Sequence, residues 1–490
     1  MNVTLTSKGI LCAASRFSWR SAAMGTMAVA TFLAAHAASA KDHMVTPETD
    51  LKKLCKEIVA GDELVLSNGV WSDASLTFEQ LSGSESAPIT IRAQSPGKVV
   101  LTGKSEFRLS GTHIIVAGFV FNNTDSSDVL ETRTHSERHA HHCRITECAF
   151  QQSADGPAGE ESRWLSLYGT DNRVDHCRFE GKRSRGTTLV VWVGDQPNRH
   201  HIDFNYFGHR PELGRNGGET IRIGTSEVSE KESQTVVTDN LFERCNGESE
   251  IVSNKSCGNL YRHNVFVECA GALTLRHGHR CLVDANVFLG NKKNGTGGVR
   301  IVGSKHVVTN NYFANLRGDE MRAALSMMNA PTNGKLNEYA PVREAVVSHN
   351  TFIDCKVSME IGVEASEKLS IAPAECRISH NLFAAGKWPL FRIDAEPVDF
   401  SWAENVCLVD VKSPDPPTQV RAIQCQLQAD ENQLMRPVFA NELRSEINSG
   451  ITEDIDGGSR QTESIFGCDD PATPPRKWVG PQNTGPSTWK

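Results

Sequence analysis

The chain has 490 residues, 39% hydrophobic and 22% charged, with a formal net charge of −8. That composition excludes a disordered or membrane-embedded chain, and the acidic balance excludes non-specific binding to nucleic acid or anionic membranes. The length admits several domains or one long repeat body.

Residues 1–40 read as a secretory signal peptide. Lys8, Arg16 and Arg20 precede an apolar run from Met24 to Ala37, and the segment closes on Ala38-Ser39-Ala40. The run is too short to span a bilayer, so the mature chain is expected to be exported, to periplasm or medium, with no membrane span. Cleavage after Ala40 leaves 48 cations against 59 acids, a formal charge of −11. An anionic substrate then needs a locally basic groove.

A short amphipathic helix is expected from Pro47 to Ala60, with Leu51, Leu54, Ile58 and Val59 on its apolar side. It would cap the open end of a β stack. Short apolar runs follow at Leu64–Leu66, Ile89–Ile91, Val99–Leu101 and Ile114–Val116.

From there one unit recurs: a short apolar strand, then N-x-F. It stands at Asn205, Asn240, Asn264, Asn286, Asn311, Asn350 and Asn381, each two residues before an aromatic ring. Cys148 and Cys177 take the asparagine slot, and Cys407 takes the phenylalanine slot. Phenylalanines fall at 150, 179, 207, 242, 266, 288, 313, 352 and 383, with gaps of 22 to 39. A coil of that length cannot bury its own apolar face, and stacking on its neighbours supplies the core. The pattern predicts an all-β chain: a single-domain right-handed parallel β-helix over 41–440, with a short N-terminal capping helix. Asparagines are expected to take the turn conformation and to hydrogen-bond their equivalents one rung away. The remaining residues, 441–490, rich in proline, are expected to cap the far end of the stack.

A second ladder ends short strands at Gly169, Gly194, Gly224, Asn254, Gly278 and Gly303. Aligning these puts Ile221, Ile251 and Leu275 in an inward column and Arg222, Val252 and Arg276 in an outward one. Glu248, Glu250 and Asn216 share the outward parity. Thirteen cysteines remain after Cys12. Most are expected to be reduced and stacked in the core, with a Cys245–Cys269 disulfide as the alternative pairing of adjacent rungs.

Two carboxylates on alternate residues of one strand repel unless a cation or proton lies between them. Asn216, Glu248 and Glu250 offer hard oxygen donors, which suit Ca²⁺. Lys255 follows the turn, and neighbouring cations favour the neutral amine of a lysine, which can then serve as a base. Arg276 stands one coil on and can stabilise or protonate a developing alkoxide. Together these groups fit β-elimination on a uronic-acid polysaccharide, with Lys255 removing the C5 proton and Arg276 assisting departure of O4. Arg300, Arg222 and Arg280 are candidates to bind substrate carboxylates. His277, inward by the ladder, is expected to support Arg276 or the substrate.

The runs N-G-G-E-T-I-R-I-G-T-S (216–226), G-E-S-E-I-V-S-N-K-S (247–256) and L-T-L-R-H-G (273–278) resemble polysaccharide lyase family 6, the family of chondroitinase B and many alginate lyases. The resemblance implies Ca²⁺ held by Asn216, Glu248 and Glu250, with Lys255 as base and Arg276 as acid. It also implies an anionic uronate polysaccharide as partner, alginate first and dermatan sulfate second. A dermatan sulfate lyase, a non-catalytic polysaccharide-binding β-helix and a uronate C5-epimerase are the alternatives.

Overall fold

The computed structural model describes residues 40–156, 161–384, 388–408, 419–438, 443–445, 450–460, 464–470 and 473–489. All but the last residue of the expected signal peptide, and Cys12 with it, lie outside the described residues. Among those described, no helix is long and apolar enough to cross a membrane.

Chain direction repeats from coil to coil, and each turn contributes strands to three fourteen-stranded sheets whose long-range pairing is parallel. The expected parallel β-helix is what the chain forms. Its interior is filled by the repeat residues themselves. Phe121, Phe150, Phe179, Phe207, Phe242, Phe266, Phe288, Phe313, Phe352 and Phe383 stack face to face, with ring centroids 4.5 to 5.0 Å apart. That separation is close to the spacing of neighbouring strands, about 4.8 Å, so each ring sits directly on the one below.

The asparagine ladder closes as expected. From Asn205 to Asn381, each side-chain amide donates to the carboxamide oxygen of the next rung at 2.9 to 3.1 Å. The same oxygen also accepts the backbone N–H of the previous asparagine, as Asn286 Oδ1 does from Asn264 at 3.0 Å. The turn conformation falls elsewhere. Positive φ belongs to the residue before each asparagine, such as Asp239, His263, Ala285 and His349. The asparagine itself is the buried clip.

Thirteen described cysteines are free, and all but Cys55 are buried. Cys245 and Cys269 are stacked thiols, not a disulfide, and burial followed by the neighbouring sulfur drives the Cys269 pKa far upward. The amino-terminal helix is shorter than its apolar spacing suggests, spanning only Leu51–Leu54 with Asp50 as N-cap. Leu51, Leu54 and Ile58 do pack on the core, but Val59 is exposed. The buried Asp62 explains the early stop: it accepts the Val59 N–H at 3.1 Å and the Lys41 N–H at 3.0 Å, folding the chain back into the first strand.

The described residues of the expected carboxyl-terminal cap lie along the flank of the stack. The last strand of the third sheet is Val420–Ile423, and the described residues beyond it run back along the flank. Met435 N–H meets Tyr312 Oη at 2.9 Å, Arg476 meets Asp239 at 2.7 Å, Gly485 meets the Phe204 carbonyl at 3.0 Å, and Ser487 meets Glu147 at 2.7 Å. On the way Leu434, Ile455, Phe466 and Trp478 cover Tyr206, Leu241, Val265, Val287 and Tyr312 on the outer face of the third sheet. That apolar outer column is the reason the strap lies where it does.

Candidate active site

The second sheet carries the candidate site. Strand Glu250–Lys255 lies between Ile221–Gly224 and Ala272–His277, and the register differs from the glycine alignment by one residue. Ile221 pairs with Val252, Arg222 with Ser253, Ile223 with Asn254 and Gly224 with Lys255. Val252 and Asn254 are therefore wholly buried, where the alignment placed Val252 outward and Asn254 in a turn. Ile251 also faces the core, because irregularities in the pairing fall between Glu250 and Val252 and between Asn254 and Lys255. The second of these sets Lys255 opposite His277 and leaves Arg276 without a paired residue. Bulges of this kind re-aim side chains, and here they bring an amine, a guanidinium and an imidazole onto one outer wall.

At the centre stands Glu250. It forms a close ion pair with the buried Arg300, accepts the Ser253 hydroxyl at 2.6 Å, and lies 3.5 Å from Arg276. Burial pushes its carboxyl up, but Arg300, Ser253, Lys255 and Arg276 together bring it below its ordinary value. Arg300 pairs in register with Thr274 and Ser326 and so takes the outward column. Burial lowers the Arg276 pKa against the pull of Glu250, a direction that makes it a better proton donor. His277 reaches Ser226 Oγ at 3.2 Å. Burial, then Arg276 and Lys255, hold it near 3, so it works as a neutral imidazole. It lies on the site wall and not in the core.

Glu248 is placed by two loop segments passing without side chains between them. A Cβ on Gly218 would lie 2.4 Å from the Gly247 backbone, and one on Gly247 would lie 2.3 Å from the Gly218 carbonyl. That approach lets Gly217 and Gly218 N–H donate to Glu248 at 2.7 and 3.0 Å. The buried Arg210 fastens the same loop through the Glu219 carbonyl at 2.6 Å and the Gly186 carbonyl at 2.7 Å. Asn216, just before these glycines, is exposed.

Arg222 is held over the Trp192 ring at 5.3 Å, and no ion pair engages it among the described residues. Arg280 is not part of the site. It sits in a turn, half exposed, and pairs with Glu232 at 2.5 Å.

Among the described residues no three His, Cys, Asp or Glu side chains form a ready metal cage. The donor chemistry nevertheless fits a hard cation. Burial, then Glu219 and Glu250, push the Glu248 carboxyl up to about 7, and Glu219 Oε2 is buried with no hydrogen-bond partner. Glu219, Ser226 and Ser253 carry no repeat signal and emerge only from the register.

Residues 45–387 match the family model described as Chondroitinase B. The chain belongs to polysaccharide lyase family 6. Among solved structures of the family, an arginine-to-alanine mutant of the PL6 family alginate lyase AlyGC is 34% identical with a TM-score of 0.80, over 92% of this chain and 59% of that one. A mannuronic acid specific family 6 lyase from human gut microbiota is 31% identical with a TM-score of 0.68, over 78% of this chain and 91% of that one. A PL6 polysaccharide lyase from Pseudopedobacter saltans, 23% identical with a TM-score of 0.62 over 74% of this chain and 92% of that one, shares the fold. This family 6 chain thus spans 59% of the length of the AlyGC variant. No curated protein sequence matches it.

Proposed function

We propose that this family 6 chain is an exported, Ca²⁺-dependent lyase that cleaves a uronate polysaccharide by β-elimination, with alginate as the substrate. The observation that carries this reading is the single outer wall on which Lys255, Arg276, His277 and Arg300 gather around Glu250. AlyGC is described as an alginate lyase and the gut enzyme as a mannuronic acid specific lyase, which favours alginate over dermatan sulfate.

Arg222 supplies positive charge for substrate carboxylates on an otherwise acidic chain, and Arg300, buried against Glu250, holds that carboxylate in place. The Lys255 amine takes the C5 proton. The electron pair left behind forms the C4–C5 double bond, the C4–O4 bond breaks, and Arg276 gives a proton to the departing O4. His277, neutral and held by Ser226, offers a hydrogen bond beside Lys255. Glu248, Glu250 and Asn216, joined by Glu219, would hold Ca²⁺, which supplies charge neutralisation at a substrate carboxylate and so acidifies the carbon beside it.

Ultraviolet absorbance of unsaturated uronate should rise when the protein meets alginate. Folded protein with Ca²⁺ that yields no such product from alginate or dermatan sulfate would overturn the reading. C5 proton exchange without chain shortening would mark an epimerase.

Ca²⁺ binding has a readout independent of turnover. Glu248 titrates near 7, well above an unfolded glutamate, so the stability it contributes is present in acid and is lost as pH rises through about 7. Ca²⁺ should therefore raise the melting temperature by a few degrees at pH 8 and hardly at all at pH 5. Glu248→Gln should remove most of that difference. Equal stabilisation at both pH values would count against this carboxylate as a ligand.

A further inference from the structure

The longest gap in the phenylalanine ladder, 39 residues from Phe313 to Phe352, contains a segment that folds back over the site wall. Its seat is built. Val302, Met328 and Val363 form a fully buried apolar patch separate from the main core, and Tyr339 and Ala340 pack onto it. Gly303 N–H donates to the Ala340 carbonyl at 3.2 Å, tying the segment to the coil that bears Arg300.

From this seat the Tyr339 ring covers Arg276, with its centroid 4.4 Å from the guanidinium carbon, and reaches Arg300 at 6.0 Å. Arg276 Nη2 donates to the Asn337 carbonyl of the same segment at 3.3 Å, while Nε faces Glu250 at 3.5 Å. Nη1 alone is buried with no hydrogen-bond partner. The guanidinium is thus gripped on its face and on two of its three nitrogens.

We propose that Tyr339 is the positioning residue for Arg276, fixing the guanidinium plane for proton delivery to the glycosidic oxygen as it leaves. This rests on the lyase reading above. A cation over an aromatic face is attracted by the ring quadrupole, and a flexible arginine held this way loses little freedom when the reaction begins.

A bare apolar plug would seat the segment equally well, and the test separates the two roles. Tyr339→Leu keeps the seat and removes the ring face. It should lower kcat about tenfold with KM within about twofold, the pattern of an interaction used in the transition state. Tyr339→Met, which fills the same socket, replaces it where the leucine variant is unstable. Tyr339→Phe should recover most of the loss, and a phenylalanine variant as impaired as the leucine one overturns the proposal. In an Arg276→Lys background the leucine change should cost little more, because coupled residues are not additive. The same tenfold loss there also overturns it. A crystal structure of Tyr339→Leu gives a readout that needs no substrate: Arg276 should leave its place beside Asn337, and an unmoved side chain sinks the positioning role. Wild-type protein that yields no unsaturated product sinks the lyase reading instead.

Discussion

Lys255→Ala is expected to lower turnover on alginate by at least about a thousandfold, within the range that a lost general base costs. The melting temperature should stay within a degree or so of wild type. The Lys255 side chain makes no hydrogen bond or ion pair among the described residues, and its strand position is held by backbone pairing with Gly224 and His277. Truncating it strands no buried partner. Lys255→Arg sharpens the result, since arginine keeps the charge but cannot give up its proton at working pH. It should be as inactive as the alanine variant. Substantial activity in Lys255→Arg would show that charge, and not proton abstraction, is what the position supplies.

Asn286→Ala should produce the largest stability loss available from one small substitution outside the phenylalanine stack. Asn286 Oδ1 accepts both the backbone N–H and the side-chain amide of Asn264, each at 3.0 Å. Its own amide donates to Asn311 Oδ1 at 3.0 Å and to the Tyr261 carbonyl at 2.9 Å. All of these groups are buried, so water cannot replace the lost partner. Leaving two donors unmet costs about 2–6 kcal/mol, taking each as 1–3 kcal/mol. Chemical denaturation should show that loss as a lower midpoint with an unchanged slope. A loss below about 1 kcal/mol, the size of a single ordinary hydrogen bond, would mean that the ladder sets register without holding the stack together.

The parallel β-helix was legible because its core repeats. Phe242, Phe266 and Phe288 recur every 22 to 24 residues, and the one-residue-per-coil ladder they predict is the ladder observed. Register at the site was not legible for a physical reason. A bulge adds a residue without changing composition, and period-two parity cannot show where it falls. The one visible trace was Ile251 beside Val252, two adjacent apolar residues that a regular strand would send to opposite faces. Tyr339 and Glu219 escaped because neither stands at a repeat position, and contacts made by an inserted loop follow from tertiary packing alone. The path of the strap's described residues was not legible in the sequence. Proline-rich sequence signals the absence of further coils, but nothing local says which flank it lies against.

The strap also joins early and late parts of the chain. The residues pinning Glu147, Ser487 and Thr488, follow it by 340 and 341 positions. A ribosome builds the early coils before their outer clasp. The third sheet must therefore wait with an oily flank uncovered until the strap has emerged, a window in which a second nascent copy, or a chaperone, finds the same surface.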